Sequence, residues 1–170
     1  MHINIECKAQ ADNIALLENA LLTLNPIFIG VDHQIDTYFN VPTGRLKLRE
    51  GNIENSLIYY ERSNIAGSKL SNVYLYQHIA NSNLKELLTK VHGIKCVVDK
   101  TRKIYFVDNV KFHFDTVANL GSFIEIEAID TNGTYTQSQL QEQCNYYTKF
   151  FNISNNAFIA VSYSDLIMKL

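Results

Sequence analysis

Basic residues recur at every second position in the stretch GRLKLRE, at Arg45, Lys47 and Arg49. This alternation predicts a β-strand, because successive side chains of a strand point to opposite faces. The three cations would therefore share one face, while Leu46 and Leu48 would share the other. Arginine and lysine on one face suit phosphate oxygens, arginine through its bidentate guanidinium group.

The same period places ionisable side chains on one face of several further strands. Lys100 shares a face with Arg102, and Lys111 shares a face with Asp115. Cations and carboxylates are concentrated on different strands, whereas a solvated face usually mixes both signs in cross-strand pairs. The other polar members of these faces are Asn4, Glu6, Lys8, His113, Glu125 and Glu127.

Two arrangements could accommodate these charged faces. An open sheet would leave them in water on its solvated side. About eight antiparallel strands could instead close into a barrel, whose interior holds side chains or one small ligand. Charges that point into a barrel without partners would be costly. A polyphosphate with Mg²⁺ or Mn²⁺ would satisfy both signs, since Mg²⁺ binds one or two carboxylates together with substrate phosphates.

The elements that must position these residues follow from alternation, caps and turn signals. Short connections between many strands favour an antiparallel α+β fold with peripheral helices. Helices are predicted from Asp12 to about Leu24, from Ser82 to Gly93, near 136–151, and in the tail behind Ser162. Strands are predicted over residues 2–9, 27–41, 44–50, 57–62, 72–80, 94–107, 110–115 and 122–129.

Composition narrows the class of protein. The 170 residues fit a single domain, 1–170, and the net charge of -2 argues against a broad nucleic-acid-binding surface. No apolar stretch approaches the ~20 residues of a membrane span, so no membrane partner is expected. Cys7, Cys96 and Cys144 form no CxxC pair, which favours a reduced, cytoplasmic location. Cys7 is expected in the core.

Six segments occur in an order that resembles a known family. The sequence is similar to the CYTH superfamily, the triphosphate tunnel metalloenzymes, from about residue 2 to 166. The links VPTGRLKLR and LGSFIEIE most resemble its class IV adenylate cyclase branch. The segments are IECKA, DTYFNVPTGRLKLRE, LIYYER, VDKTRKIY, VKFHFD and LGSFIEIEA.

The resemblance implies an eight-stranded antiparallel tunnel that binds a triphosphate with divalent metal. Triphosphate-binding residues would be Lys8, Arg45, Lys47, Arg49, Lys100, Arg102 and Lys111. Metal ligands would be Glu6, Asp115, Glu125 and Glu127, and catalytic residues would be Glu6, Lys8, Glu125 and Glu127. The sequence departs from the family at Asn4, where the ExExK motif has a glutamate. An amide supplies no charge, so a second metal would be held more weakly.

Three functions stay open at this stage. The leading hypothesis is a class IV adenylate cyclase-like enzyme that converts ATP to cyclic AMP and pyrophosphate. The alternative is a triphosphatase acting on tripolyphosphate, thiamine triphosphate or a nucleoside triphosphate. A protein that binds a triphosphate without turnover is the third, because of Asn4. A homodimer is a further possibility, and the directions of Glu61 and Arg62 are left open.

Overall fold

The structure is a computed structural model, and it describes residues 2–62, 67–79 and 83–170. Its helices are α1 (Ile14–Leu22), α2 (Leu84–His92), α3 (Gln137–Phe150) and α4 (Tyr163–Ile167), with a 3₁₀ turn at Asn155–Ala157. Its strands are β1 (His2–Gln10), β2 (Ile27–Phe39), β3 (Arg45–Gly51), β4 (Ser56–Arg62), β5 (Lys69–Gln77), β6 (Ile94–Val107), β7 (Val110–Val117) and β8 (Gly121–Asp130).

The eight strands form a closed antiparallel barrel in the order β1-β5-β4-β3-β2-β6-β7-β8. The longest ladder joins β2 to β6, from the pair Ile27 and Phe106 to the pair Phe39 and Ile94. Closure satisfies the backbone hydrogen-bonding groups that an open sheet would leave at its edges. The predicted α+β barrel with helices at its periphery is thereby confirmed.

The apolar core lies outside the barrel wall, between β1, β7, β8 and the helices α1 and α3. Leu21, Phe112, Ile126 and Leu140 are buried there. Cys7 lies in the same core, as predicted, and is 1% exposed. Burying a side chain of the size of Leu21 or Phe112 contributes about 1.5–3 kcal/mol. Packing on the outer faces therefore leaves the inner faces of these strands to polar residues.

The segment after α3 crosses one end of the barrel. The Ile159 N–H donates to the Lys8 carbonyl over 2.8 Å, and Ala9 forms an isolated bridge with Phe158. Helix α4 follows, with Ser162 as its N-cap, as the sequence predicted; the structure adds a complete capping box with Asp165. The buried Tyr163 ring packs against Phe123, so this end of the barrel is covered.

Two helix boundaries differ from the predictions. The N-cap of α1 is Asn13 rather than Asp12, because the Asn13 side chain accepts the Leu16 N–H over 3.2 Å. This helix ends at Leu22, two residues early. The predicted cap Ser82 lies outside the described residues. Within the described ranges, no helix is long and apolar enough to cross a membrane.

Candidate functional site

A cavity of about 480 Å³ lies inside the barrel and is lined by charged side chains. Its polar lining reverses the usual arrangement, in which charged residues stay at the protein surface. The six cations of its lining are Lys8, Lys47, Arg49, Lys100, Arg102 and Lys111. The five carboxylates are Glu6, Asp36, Glu54, Glu125 and Glu127.

Strand register brings opposite charges together across neighbouring strands. Lys8 on β1 lies opposite Glu125 on β8, and their charged groups are 3.2 Å apart. Lys111 on β7 lies opposite Glu127, which is also on β8. Residues that the sequence separates by sign therefore form cross-strand pairs inside the barrel.

Asp36 on β2 binds three of the cations. Its carboxylate lies 2.7 Å from Lys100 Nζ, 3.1 Å from Lys47 Nζ and 2.9 Å from Arg49 Nε. Burial alone would raise the pKa of Asp36, but the Arg49, Lys100 and Lys47 charges outweigh it and hold this pKa well below its ordinary value. Asp36 is therefore ionised and links three strands, β2, β3 and β6.

The two lysines of this cluster are held in a poor environment for a cation. Burial lowers the pKa of Lys47 to about 8 and that of Lys100 to about 7, although Asp36 opposes both shifts. Neighbouring Arg49 and Arg102 add like-charge repulsion. An additional anion in the cavity would stabilise both ammonium groups.

Arg102 on β6 forms a second ionic cluster. Its guanidinium group donates to both oxygens of Asp115, over 2.7 and 2.6 Å, and to Glu125 over 2.9 Å. The Tyr163 hydroxyl also donates to Asp115, over 2.8 Å. Both Asp115 oxygens thus accept hydrogen bonds, and Asp115 does not line the cavity. Asp115, which the resemblance predicts as a metal ligand, is thus held by Arg102 and Tyr163 in this structure.

His113 on β7 faces the same cavity with a neutral ring. Its Nδ1 lies 3.0 Å from the Glu125 carboxylate and donates to it. Burial lowers the pKa of His113 to about 3, and the Arg102 charge lowers it further in the same direction. Among the described residues, its buried Nε2 has no hydrogen-bond partner. With Nδ1 as the donor to Glu125, that nitrogen is an acceptor.

Glu54 reaches the cavity from the loop between β3 and β4. Its carboxylate accepts from Arg49 Nη1 over 2.8 Å and from Gln34 Nε2 over 3.0 Å, and it also bonds Lys111. The backbone N–H groups of Ile53 and Glu54 donate to the buried Asp32 carboxylate, over 2.9 and 3.0 Å. Asp32 therefore anchors the loop that delivers Glu54.

Arg45 is not brought to the cavity. It donates to Asp165 of α4 over 2.8 Å, and Asp165 also accepts from the Ser162 backbone in the capping box. Arg45 thus ties β3 to the segment that covers the barrel end. Glu61 points outward and accepts the Tyr59 hydroxyl over 2.7 Å. The side chain of Arg62 lies outside the described residues.

The side chains of β1 and β8 provide the best oxygen ligands for a divalent metal. Glu6 lies opposite Glu127, and both line the cavity. Asn4 Nδ2 donates to Glu127, while the buried Asn4 Oδ1 has no hydrogen-bond partner among the described residues. Two carboxylates and one amide oxygen are donors that Mg²⁺ accepts. Glu125 is engaged by Lys8, and among the described residues no group of three His, Cys, Asp or Glu side chains forms a ready metal site.

Asp36, Glu54 and Tyr163 are the site residues that sequence reasoning missed. Asp36 lies in the predicted extended segment 27–41, at even spacing with Gln34 and Tyr38. That spacing could have placed it on the inner face. Glu54 lies in a loop, where period-2 counting assigns no face.

Comparisons with known proteins agree with this geometry. The model of the family described as the CYTH domain matches residues 2–149. No curated protein sequence matches the chain. Each of the following solved structures is under 25% identical and shows the fold.

The PH1012 protein of Pyrococcus horikoshii OT3 is 22% identical, with a TM-score of 0.83 over 98% of this chain and 99% of that one. A candidate adenylate cyclase from Vibrio parahaemolyticus is 16% identical, with a TM-score of 0.78 over 98% of both chains. A candidate adenylyl cyclase from Hippeastrum, described as revealing a dominant triphosphatase activity, is 13% identical, with a TM-score of 0.60 over 95% of this chain and 91% of that one.

Proposed function

The chain belongs to the CYTH family, and from this premise we propose that it is a metal-dependent enzyme that processes a triphosphate, of the class IV adenylate cyclase type. ATP would be converted to cyclic AMP and pyrophosphate. ATP as the substrate, Mg²⁺ or Mn²⁺ as the metal and the cytoplasm as the location belong to the same proposal.

The observation that carries the proposal is the convergence of six cations on one cavity of about 480 Å³. They come from four strands, β1, β3, β6 and β7, and so reach the cavity from several sides. A single carboxylate ligand would need one or two of them. A triphosphate offers oxygens along its whole length and can contact cations on several strands at once.

The balance of charge in the lining supports a metal partner. Five carboxylates face the six cations, so the lining is close to neutral when His113 is uncharged. A triphosphate carries about four negative charges, which the lining alone would not neutralise. Glu6, Glu127 and Asn4 would hold the divalent metal that makes up the difference. When bound, such a metal polarises phosphate oxygens and lowers the pKa of an attacking hydroxyl group.

The protein's own residues have separate roles in this reaction. Lys47, Arg49 and Lys100 hold phosphate oxygens and so fix the triphosphate along the barrel. Arg102 is oriented by Asp115 and presents a fixed charge toward the cavity. The ribose 3′-hydroxyl releases its proton to solvent as its oxygen attacks the α-phosphorus in line. The bond from the α-phosphorus to the bridging oxygen breaks, and pyrophosphate leaves. Charge that develops on the leaving group is stabilised by the same cations.

Hydrolysis of the terminal phosphate is the second candidate function. The same clamp would bind the substrate, and water would attack the terminal phosphorus. The Hippeastrum relative of this fold, described as having a dominant triphosphatase activity, is the observation that favours it.

A product assay separates the candidates. Purified protein is incubated with ATP, tripolyphosphate or thiamine triphosphate, with Mg²⁺ and separately with Mn²⁺. We expect cyclic AMP and pyrophosphate from ATP, and loss of both in Arg102→Ala. Orthophosphate release would replace the cyclase assignment with a triphosphatase. If no product forms but tripolyphosphate raises the melting temperature, the protein binds triphosphates without turnover.

A further inference from the structure

One side of the cavity wall carries uncharged side chains where the rest carries charged ones. Residues 56–60 of β4 and 71–77 of β5 contribute only uncharged side chains to the lining. Three of them are aliphatic: Ile58, Val73 and Leu75, which we call the apolar strip. The charged side chains of the lining come from the other strands and from the loop that carries Glu54.

The apolar strip is continuous along the barrel. Ile58 lies opposite Leu75 in the ladder between β4 and β5, and Tyr60 lies opposite Val73. Leu75 lines the cavity and is 49% exposed, so part of its side chain is available to a ligand. Binding a ligand that covers apolar surface of this kind is favourable, because the surface is removed from water.

The strip faces the phosphate-binding cations across the cavity. In the order of the barrel, β5 is four places from β6, and β4 is four places from β7. Strands four places apart in an eight-stranded barrel lie on opposite sides. The strip therefore faces Lys100, Arg102 and Lys111. Lys47 on β3 is the direct cross-strand neighbour of Ile58, so a cation and the strip also meet side by side.

A ligand that fills this cavity needs two chemically different parts. Its anionic part would contact the cations, and an uncharged part would cover the strip. Inorganic tripolyphosphate has only the first part and would leave the strip uncovered. The described side chains of the strip's own strands place no carboxylate in the lining, so the strip itself offers a cationic organic group no ion pair.

We propose that Ile58, Val73 and Leu75 form the wall against which the uncharged organic part of a nucleoside triphosphate packs. The inference rests on the proposed triphosphate function and adds the part of the ligand that the cations do not recognise. The strip selects organic triphosphate esters over inorganic tripolyphosphate, and neutral organic groups over cationic ones.

The test measures two affinities by calorimetry in the presence of Mg²⁺. The probes are the non-hydrolysable methylene-bridged analogues of ATP and of tripolyphosphate. We expect the natural protein to bind the ATP analogue at least about tenfold more tightly. Leu75→Asn keeps the size of the side chain and should remove most of this preference, while the affinity for the tripolyphosphate analogue stays within about twofold.

Two further variants complete the design. Tyr76→Asn is the matched control, because Tyr76 is 67% exposed and does not line the cavity. It should leave both affinities unchanged. Val73→Thr is nearly isosteric and tests the strip with a smaller change. Thiamine triphosphate should displace the ATP analogue less well than ATP does, because its organic part is cationic.

The outcomes separate this inference from the proposed function. Equal affinities for both analogues, unaffected by Leu75→Asn, would overturn the strip as a ligand wall and leave the cation clamp standing. Parallel weakening of both analogues in Leu75→Asn would also overturn it, since the strip would then act through the fold. If neither analogue binds the natural protein, the triphosphate function fails and the inference fails with it.

Discussion

Asp36 Oδ2 lies 2.7 Å from Lys100 Nζ in the interior of the barrel, and both side chains are almost fully buried. The same carboxylate binds Lys47 and Arg49. One buried carboxylate thus compensates three cations that phosphate oxygens would otherwise approach. Asp36 stabilises these three cations and would compete for them with an anionic ligand.

Replacing the Asp36 carboxylate should lower the stability of the fold and raise the affinity for a triphosphate. Asp36→Asn leaves three buried cations with less compensation, so we expect a loss of about 3–5 kcal/mol in the free energy of unfolding. Tripolyphosphate should then raise the melting temperature more than it does in the natural protein. Differential scanning calorimetry with and without the ligand measures both effects. Asp99→Asn is the control, since Asp99 is exposed and pairs with His33. If tripolyphosphate raised the melting temperature equally in Asp36→Asn and in the natural protein, Asp36 would not compete with the ligand for these cations.

Glu54 should limit anion binding in a similar way. Its carboxylate occupies Arg49 and Lys111, so Glu54→Gln frees both cations for a ligand. We expect tripolyphosphate to bind about tenfold more tightly, equivalent to about 1.4 kcal/mol. Calorimetric titration gives the affinity. Glu50→Gln removes a carboxylate that is bound to Lys85, away from the cavity lining, and should change nothing. Weaker binding in Glu54→Gln would instead make Glu54 part of the ligand or metal site.

Triphosphate binding should be coupled to proton uptake. The pKa of Lys100 is lowered to about 7 and that of Lys47 to about 8, so both are partly neutral in the free protein near pH 8. A bound anion raises both pKa values, and the complex therefore holds more protons than the free protein. Affinity must then fall as pH rises from about 7 to 9.

Calorimetry in buffers of different ionisation enthalpy measures this uptake directly. Lys100→Arg should reduce it, because arginine stays charged throughout the range. Binding with no proton uptake, and with pH-independent affinity, would show that both lysines are already fully charged in the free protein.

Asn4 sets how much negative charge the metal donors carry. Its amide donates to Glu127, whose pKa is raised by burial. Asn4→Glu replaces this amide donor with a carboxylate next to that of Glu127. Without metal the variant should be less stable than the natural protein by about 1–3 kcal/mol, because the hydrogen bond is replaced by repulsion. With Mg²⁺ it should regain stability and bind the metal more tightly.

The turnover rate of Asn4→Glu tests whether the Asn4 amide limits catalysis in the natural protein. A large gain would indicate that the natural protein mainly binds its ligand, and unchanged turnover would remove that interpretation. Asn4→Gln is the matched control, because it keeps the amide and lengthens the side chain. Metal affinity equal in all three proteins would exclude position 4 from the metal site.

Local sequence pattern predicts the strands and their faces because both depend on neighbours in the chain. The range predicted for β6, 94–107, is the observed one, and the helix predicted near 136–151 is observed as α3 (Gln137–Phe150). The partner of each charge depends on register between distant strands, which alternation does not encode. Even spacing in β2 could have indicated the face of Asp36 but not its cation partners, and Glu54 lies in a loop where alternation assigns no face. Both nevertheless bind cations that the sequence identified.

The segment that covers the barrel end bears on how the catalytic domain should be delimited. The family match stops at residue 149, whereas Tyr163 and Asp165 bind Asp115 and Arg45 from beyond that boundary. A protein shortened to the matched region would expose the buried Arg102 cluster to water at that end. The functional unit of this chain therefore extends past its recognisable family signature, through α4.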